Sequence, residues 1–196
     1  CGNSSTCTFD VTVSDTEAPN VVCTDLTVQL DASGNTSITA NAVGGSSTDN
    51  CGITDLTINK SAFSCSDGGA NTVMLTAVDA AGNMASCTAT VTVVDNTPPT
   101  ALCQDLTLEL DADGIASIAA TDVDNGSTDV CGVASIAIDQ SDFDCSHLGQ
   151  NTITLTVTDV NGNISTCGAT VTIEDNTNPV ASCQDVTVQL DGSGNG

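Results

Sequence analysis

Ten of the 11 cysteines in this chain of 196 residues obey one register. Cys7, Cys87 and Cys167 lie 80 residues apart, as do Cys23, Cys103 and Cys183. Cys51 corresponds to Cys131 and Cys65 to Cys145 at the same spacing, and Cys1 alone falls outside it. Laying 18–97 over 98–177 needs no gap, and 39 of the 80 positions are identical. A fixed period of this length marks a tandem array of one folding unit. The chain therefore reads as a C-terminal fragment of a preceding repeat (1–17), two complete repeats (18–97 and 98–177) and an N-terminal fragment of a following one (178–196), a window on a longer array.

Each repeat alternates apolar and polar residues with a period of two. In DLTVQLD (25–31) Leu26, Val28 and Leu30 share one face, which predicts a strand. ASGN (32–35) is a turn and TSITA (36–40) the return strand. ITDLTIN (53–59), NTVMLTAVD (71–79) and ASCTATVTVVD (85–95) follow, the last two joined by the tight turn AAGN (80–83). Thr and Val dominate, as a half-buried pleated surface favours, and no capped helical stretch is visible. Short strands with regular turn signals predict an all-β fold of tandem immunoglobulin-like β-sandwich repeats of 80 residues. The linkers DTEAPN (15–20), DNTPPT (95–100) and DNTNPV (175–180) carry proline, which fixes φ and keeps the preceding residue extended. Short stiff linkers predict repeats arranged end to end as a rod.

Charge narrows the function. One Lys+Arg against 25 Asp+Glu gives 1 − 25 = −24. Such a surface repels phosphate, which argues against nucleic-acid binding, and it repels anionic membrane surfaces too. No apolar run approaches the roughly 18 residues of a helical membrane span. Hydrophobic residues at 39% argue for a folded chain, but with 3 Phe and no Tyr or Trp the core is aromatic-poor. Cysteines and cations are the usual reinforcement for such a core. One His and one Lys, neither repeated, cannot build the ordinary nucleophile–base constellations, so no enzyme is expected. Phe63 and Phe143 sit in equivalent places and are expected in the core, and His147 on a surface loop.

Each repeat opens with proline and then cysteine, carries F-x-C-x-x-x-G before its fourth strand, and closes with D-x-x-G-N-x-x-x-C followed by alternating valines. This set resembles the hyalin repeat, a fibronectin-III-like extracellular module. It is most similar to the acidic, cysteine-containing arrays of giant surface proteins of Bacteroidetes-type bacteria, including gliding-motility adhesins. CTFDVTV (7–13) matches the family's C-x-F-x-V-x-V ending, whereas Ala89 and Ala169 replace that Phe in the full repeats. The resemblance implies an extracellular, cell-surface, adhesive or spacer role without catalysis.

Four cysteines per repeat allow three pairings. In a sandwich of this type the first and last strands start at the same pole, which places Cys23 beside Cys87 and Cys103 beside Cys167. The remainder are then expected as Cys51–Cys65 and Cys131–Cys145. Pairing across the linkers, as in Cys87–Cys103, fails because a strand of roughly eight residues separates the two by about 25 Å. Disulfides in turn imply an oxidising, extracellular compartment.

Carboxylates recur at fixed positions, and two readings stand. Asp and Asn bond their own backbone in tight turns, which suits Asp31, Asp111 and Asp191. The sharper reading follows from topology. The loop holding Asp129, the turn holding Asp159 and Asn163, and the linker carrying Asp95 and Asn96 would meet at one pole. Asp15, Asp49, Asp79 and Asn83 form the equivalent set one repeat earlier, and Asp175 begins the next. Hard oxygen ligands in flexible number suit calcium, and a cation would relieve carboxylate repulsion. The linker Asp-Asn followed by proline resembles that of calcium-rigidified extracellular repeats such as cadherins. The sequence thus points to a disulfide-stapled, calcium-stiffened stalk or filament whose partners are neighbouring repeats. The alternative is an adhesive module that grips other fibre chains or a surface ligand through acidic loops or edge strands.

Overall fold

Register and turn chemistry set the architecture in the computed structural model, which describes residues 1–196. In the first repeat β1 (Leu26–Gln29) pairs in parallel with β6 (Met84–Val94), Leu26 facing Val91 and Gln29 facing Val94. β6 pairs antiparallel with β5 (Gly69–Asp79), and β5 with β3 (Ile53–Ile58), giving the sheet order β1-β6-β5-β3. A second ladder joins β2 (Asn35–Ser37) to β4 (Ala62–Ser64). Every element recurs 80 residues later or within a residue or two of it. β7 (Leu106–Glu109), β12 (Ile164–Glu174), β11 (Gly149–Asp159) and β9 (Val133–Ile138) form the second four-stranded sheet, and β8 (Ile115–Ser117) pairs with β10 (Asp142–Asp144). The fold is all-β and immunoglobulin-like.

The core of the first repeat packs Leu30, Ile38, Val43, Phe63, Val73, Leu75, Ala89, Val91 and Val93. The alternation of β5 and β6 sends Val73, Leu75, Ala89 and Val91 inward, as a period of two requires. Phe63 and Phe143 are buried, and Ala89 and Ala169 are small buried residues where the family ending has Phe. Two details depart from the sequence reading. The stretch NAVGGS folds into the short helix α1 (Ala40–Gly44), capped by the Thr39 hydroxyl, with α2 (Ala120–Val123) its counterpart. The three-residue strands β4 and β10 are too short for a periodic signal. CTFDVTV joins no sheet, and its Phe9, Val11 and Val13 are exposed.

The chain divides into two compact units. The first comprises Cys1–Ala101, Gly126–Ile136 and Thr156–Thr166, and the second Leu102–Asn125, Ala137–Leu155 and Cys167–Gly196.

Three disulfides are present. Cys23–Cys87 and Cys103–Cys167 link the start of each repeat to its last strand, with Cα atoms 5.9 Å apart in both. The third joins Cys65 to Cys131, with Cα atoms 5.2 Å apart. This corrects the expected Cys51–Cys65 and Cys131–Cys145 pairs, because Cys51 and Cys145 are exposed thiols. The reason is polarity. Cys65 follows β4 and hydrogen-bonds through its backbone N–H to Gly34, in the turn just beyond β1. Cys51 precedes β3, whose first residue faces Asp79 at the end of β5. The two cysteines therefore lie at opposite ends of a six-residue strand, about 20 Å in length, whereas a bridge needs Cα atoms within about 7 Å.

Candidate functional site

The site is built from turns, and each turn is built from an aspartate. Between β5 and β6 the chain reverses over Asp79–Asn83. Gly82 takes φ +91°, the left-handed region open to glycine, and the backbone N–H of Asp79 donates to the Asn83 carbonyl at 3.1 Å. Asp79 Oδ1 accepts from the Asn83 backbone N–H at 2.8 Å, and Oδ2 accepts from Asn83 Nδ2 at 2.7 Å. Asp159 and Asn163 repeat these bonds at 2.8 Å each, with Gly162 also at φ +91°. D-x-x-G-N is thus the chemical definition of one turn.

The asparagines also reach the linkers. Asn83 Nδ2 donates to the Asp15 carbonyl at 3.3 Å, and Asn163 Nδ2 to the Asp95 carbonyl at 3.1 Å. Each linker aspartate forms its own Asx turn. Asp15 Oδ1 accepts from the Glu17 backbone N–H at 3.0 Å and Asp95 Oδ1 from Thr97 at 2.9 Å. The D-x-C-G loop supplies the third carboxylate. Asp49 Oδ1 accepts from the Cys51 N–H at 2.9 Å, and Asp129 Oδ1 from the Cys131 and Gly132 N–H groups at 2.8 and 3.0 Å.

Two clusters result, both inside the first compact unit. One ligand atom from each of Asp15, Asp49 and Asp79 lies within 4.8 Å of the others, and the same holds for Asp95, Asp129 and Cys131. The sulfur of Cys131 is committed to Cys65, so carboxylate oxygens are the donors there. Asp95 is 5% exposed, and its Oδ2 is buried with no hydrogen-bond partner. Asp15 Oδ2 is in the same condition at the equivalent place. A buried acceptor left unmade costs about 1–3 kcal/mol, and more when charged. Two orphaned carboxylate oxygens, Asp15 Oδ2 among Asp49 and Asp79 and Asp95 Oδ2 beside Asp129, are a donor set that fits a hard cation.

Electrostatics separates positioning groups from open ones. Burial pushes the carboxyls of Asp79 and Asp159 upward, but the bonds from the Asn83 and Asn163 side chains and from the turn backbone outweigh it, leaving both below the ordinary aspartate range. The Cys51 thiol is held above its ordinary range, first by Asp15 beside it and then by burial and the charges of Asp49 and Asp79.

Of the residues the sequence singled out, Asp15, Asp49 and Asp79 come together, with Asn83 positioning two of them. Asp95 and Asp129 come together, with Asp159 tied to them through Asn163. Asn96 is exposed and outside both groups, and Asp175 is exposed, its Oδ1 closing an Asx turn on Thr177 at 2.9 Å. Sequence reasoning missed that Cys131 sits beside the second group; the available signal was its place two residues after Asp129. Other recurring carboxylates have backbone duties. Asp25 and Asp105 accept from Thr90 and Thr170 N–H groups at 2.7 Å. Asp31 and Asp111 close turns through residues 33 and 35, and 113 and 115.

In the second compact unit Glu109, Asp111, Asp142 and Asp144 line an open cleft of about 600 Å³ over Phe143 and β8. His147, expected on a surface loop, ends a short 3-10 turn (Cys145–His147) with its ring half-buried, edge-on to Phe143 and its Nδ1 2.9 Å from Asp144.

Comparison with known proteins follows from this geometry. Residues 14–93 match the HYR domain, the module the sequence resembles, over a stretch that holds Asp15, Asp49 and Asp79. No curated protein matches the chain. Among solved structures, mouse cadherin-23 EC22-24 is 12% identical with a TM-score of 0.41, covering 80% of this chain and 67% of that one. Human mucin-like protocadherin EC1-2 is 11% identical with a TM-score of 0.39, covering 80% and 98%. Protocadherin gamma B7 extracellular cadherin domains 1-4 is 13% identical with a TM-score of 0.37. It is covered over 81% of this chain, which spans about half (51%) of its length.

Proposed function

We propose that this chain, whose residues 14–93 match the HYR domain, is a non-catalytic structural segment of a long extracellular cell-surface adhesin of bacterial type, stapled by disulfides and stiffened by calcium where one repeat meets the next. The observation that carries the reading is the buried, unpartnered Oδ2 of Asp95 beside Asp129, repeated by Asp15 beside Asp49 and Asp79. A carboxylate costs free energy in that state, and a cation shared with its neighbours offsets that cost. Asp15, Asp49 and Asp79 would hold one ion and Asp95 and Asp129 another. Asn83 and Asn163 would orient the ligands by binding both a turn aspartate and a linker carbonyl. Calcium supplies charge neutralisation and rigidity when bound. Its effect on a chain of −24 is to hold together loops that otherwise repel.

Calorimetric titration with calcium tests this. Two binding events are expected, with Asp15→Asn abolishing one and Asp95→Asn the other. The absence of heat at millimolar calcium refutes it. One observation favours the adhesive alternative, namely the acidic cleft over Phe143. Its counterpart in the first repeat is lined by Asp31, Asn35, Thr36, Ser37 and Ala62. Divergence there is what a specific contact with a cationic surface ligand requires.

A further inference from the structure

The disulfides divide the period of 80 in two ways. Cys23–Cys87 and Cys103–Cys167 each close 64 residues, and Cys103 follows Cys87 by the remaining 16. Cys65–Cys131 closes 66, and the D-x-C-G cysteine precedes the F-x-C cysteine by the remaining 14, from Cys51 to Cys65 and from Cys131 to Cys145. Two covalent tracks therefore run along the chain. The first is Cys23–Cys87, residues 87–103 and Cys103–Cys167. The second is residues 51–65, Cys65–Cys131 and residues 131–145. They share no residue and no bond.

Each track crosses a repeat on its own strand. From Cys87 the first follows β6 to Val94 and enters the linker. From Cys51 the second follows β3 and β4, and from Cys131 it follows β9 and β10. β5 separates β6 from β3 in the sheet. β1, β2, α1 and β5 lie on neither track. A strand already rises about 3.2–3.4 Å per residue, and a fully drawn chain reaches at most about 3.3–3.6 Å. Tension passed from end to end along β6 therefore lengthens it little and pulls no strand off its neighbour.

Without Cys23–Cys87 tension would enter at β1 and leave at the end of β6. It would then shear the parallel ladder between them, which has four residue pairs, from Leu26–Val91 to Gln29–Val94. Val91 and Val93 of that ladder belong to the core. With the bond in place Cys23 hands tension to Cys87, and β1 lies outside the path.

We propose, resting on the reading of this chain as a structural segment between neighbouring repeats, that the two tracks carry tension from repeat to repeat past the folded cores. The cores then stay closed under a pull that would open an unbonded repeat, and loss of a bond on one track leaves the other whole. Calcium has no part in this.

The full chain carrying Cys1→Ser, Cys7→Ser and Cys183→Ser is stretched with optical tweezers in chelator, in two ways. Handles on the exposed Cys51 and Cys145 thiols pull the second track. Handles on the two chain termini, with Cys51→Ser and Cys145→Ser added, pull the first. Between the thiol handles lie two stretches of 14 residues and one bond, so the limiting length is about 100 Å. Cys65→Ser with Cys131→Ser raises it to about 240 Å, and Cys23→Ser with Cys87→Ser leaves it unchanged. Between the termini the limit is about 240 Å. Here Cys65→Ser with Cys131→Ser changes nothing, and Cys23→Ser with Cys87→Ser raises the limit to about 420 Å. These are lengths of covalent track, and they hold whether or not a serine variant folds. Stretched by its termini, the oxidised parent should retrace one curve without hysteresis. A bond on one track that alters the length of the other, thiols of Cys51 and Cys145 that take no handle, or hysteresis in the parent each overturn the proposal. Calcium binding is read separately by its heat, so its failure leaves these lengths standing.

Discussion

Replacing Cys65 and Cys131 together by serine opens a loop of 66 residues and leaves the rest of the first compact unit covalently unchanged. The loop-closure relation gives about 4 kcal/mol for a loop of that size. That loop carries β5 and β6, the central strands of the first core, so the cost falls on the stability of the sheet itself. The chain has no Trp or Tyr, so far-UV circular dichroism, followed in guanidinium for the free energy and on heating for the midpoint, is the suitable assay. The midpoint of thermal unfolding should fall by about 15 °C or more for the affected unit. The Cys23–Cys87 loop, with a separation of 64, is an internal standard. The entropic argument predicts nearly the same loss from its double serine variant. A loss below about 1 kcal/mol for Cys65/Cys131, alongside about 4 for Cys23/Cys87, would refute the reasoning. It would mean that the D-x-C-G loop is held by packing and hydrogen bonds that survive without the bond.

Three further outcomes follow. Asn163→Ala frees Asp159 and the Asp95 carbonyl, so calcium affinity at that cluster should drop by about ten-fold or more, as loss of a ligand-orienting group does, read by calorimetry. Gly44→Ala drives a Cβ into the Leu75 side chain in the buried core and should cost about 1–3 kcal/mol. Leu75→Ala should cost about 2–5 kcal/mol, and the double variant less than the sum, measured by denaturation. Asp139 is held below the ordinary aspartate range, chiefly by the Thr154 backbone N–H. A depressed carboxyl stabilises the fold above its unfolded value of about 3.9, and that stabilisation is lost as pH falls through the lower folded value. Asp139→Asn reproduces Asn59, which accepts the equivalent bond from Met74 at 2.8 Å. Wild type should therefore exceed the variant at pH 6, and the gap should close below pH 4; a gap independent of pH would refute the assignment.

What was legible from residues alone depended on the range of the interaction. Strands β1, β3, β5 and β6 carry alternation over four to eleven residues, enough for a periodic signal. β4 has three residues, and its reality rests on Phe63 entering the core across from Thr36. The α1 helix was hidden because five residues cannot show a helical period, and only the Thr39 cap announces it. The cysteines divide the same way. Cys23 and Cys87 follow from the polarity of two strands in one repeat. Cys65–Cys131 depends on how the chain returns to itself after the linker, which no single repeat encodes. The carboxylate clusters lay between these cases. Topology brought Asp15, Asp49 and Asp79 to one pole, but the burial of the unpartnered Asp15 Oδ2 and Asp95 Oδ2 needed coordinates.

The covalent and the ionic features of the first compact unit are not separate devices. The turn Asp129–Gly132 presents a carboxylate to Asp95 and, two residues on, a sulfur to Cys65. The Asp129 Oδ1 bonds to the Cys131 and Gly132 N–H groups fix the loop that does both. Closing the disulfide therefore holds Asp129 near Asp95, and raises the local density of negative charge that a cation would relieve. At the equivalent place Cys51 is an exposed thiol, which Asp15 first and then Asp49 and Asp79 hold in its protonated form. A neutral thiol adds no charge to its cluster, and neither does a sulfur committed to a disulfide, so at both places the carboxylates are left for a cation to neutralise. In a chain with an aromatic-poor core, placing Cys131 and Asp129 in one turn thus lets the bond that fixes the loop also fix the carboxylate cluster.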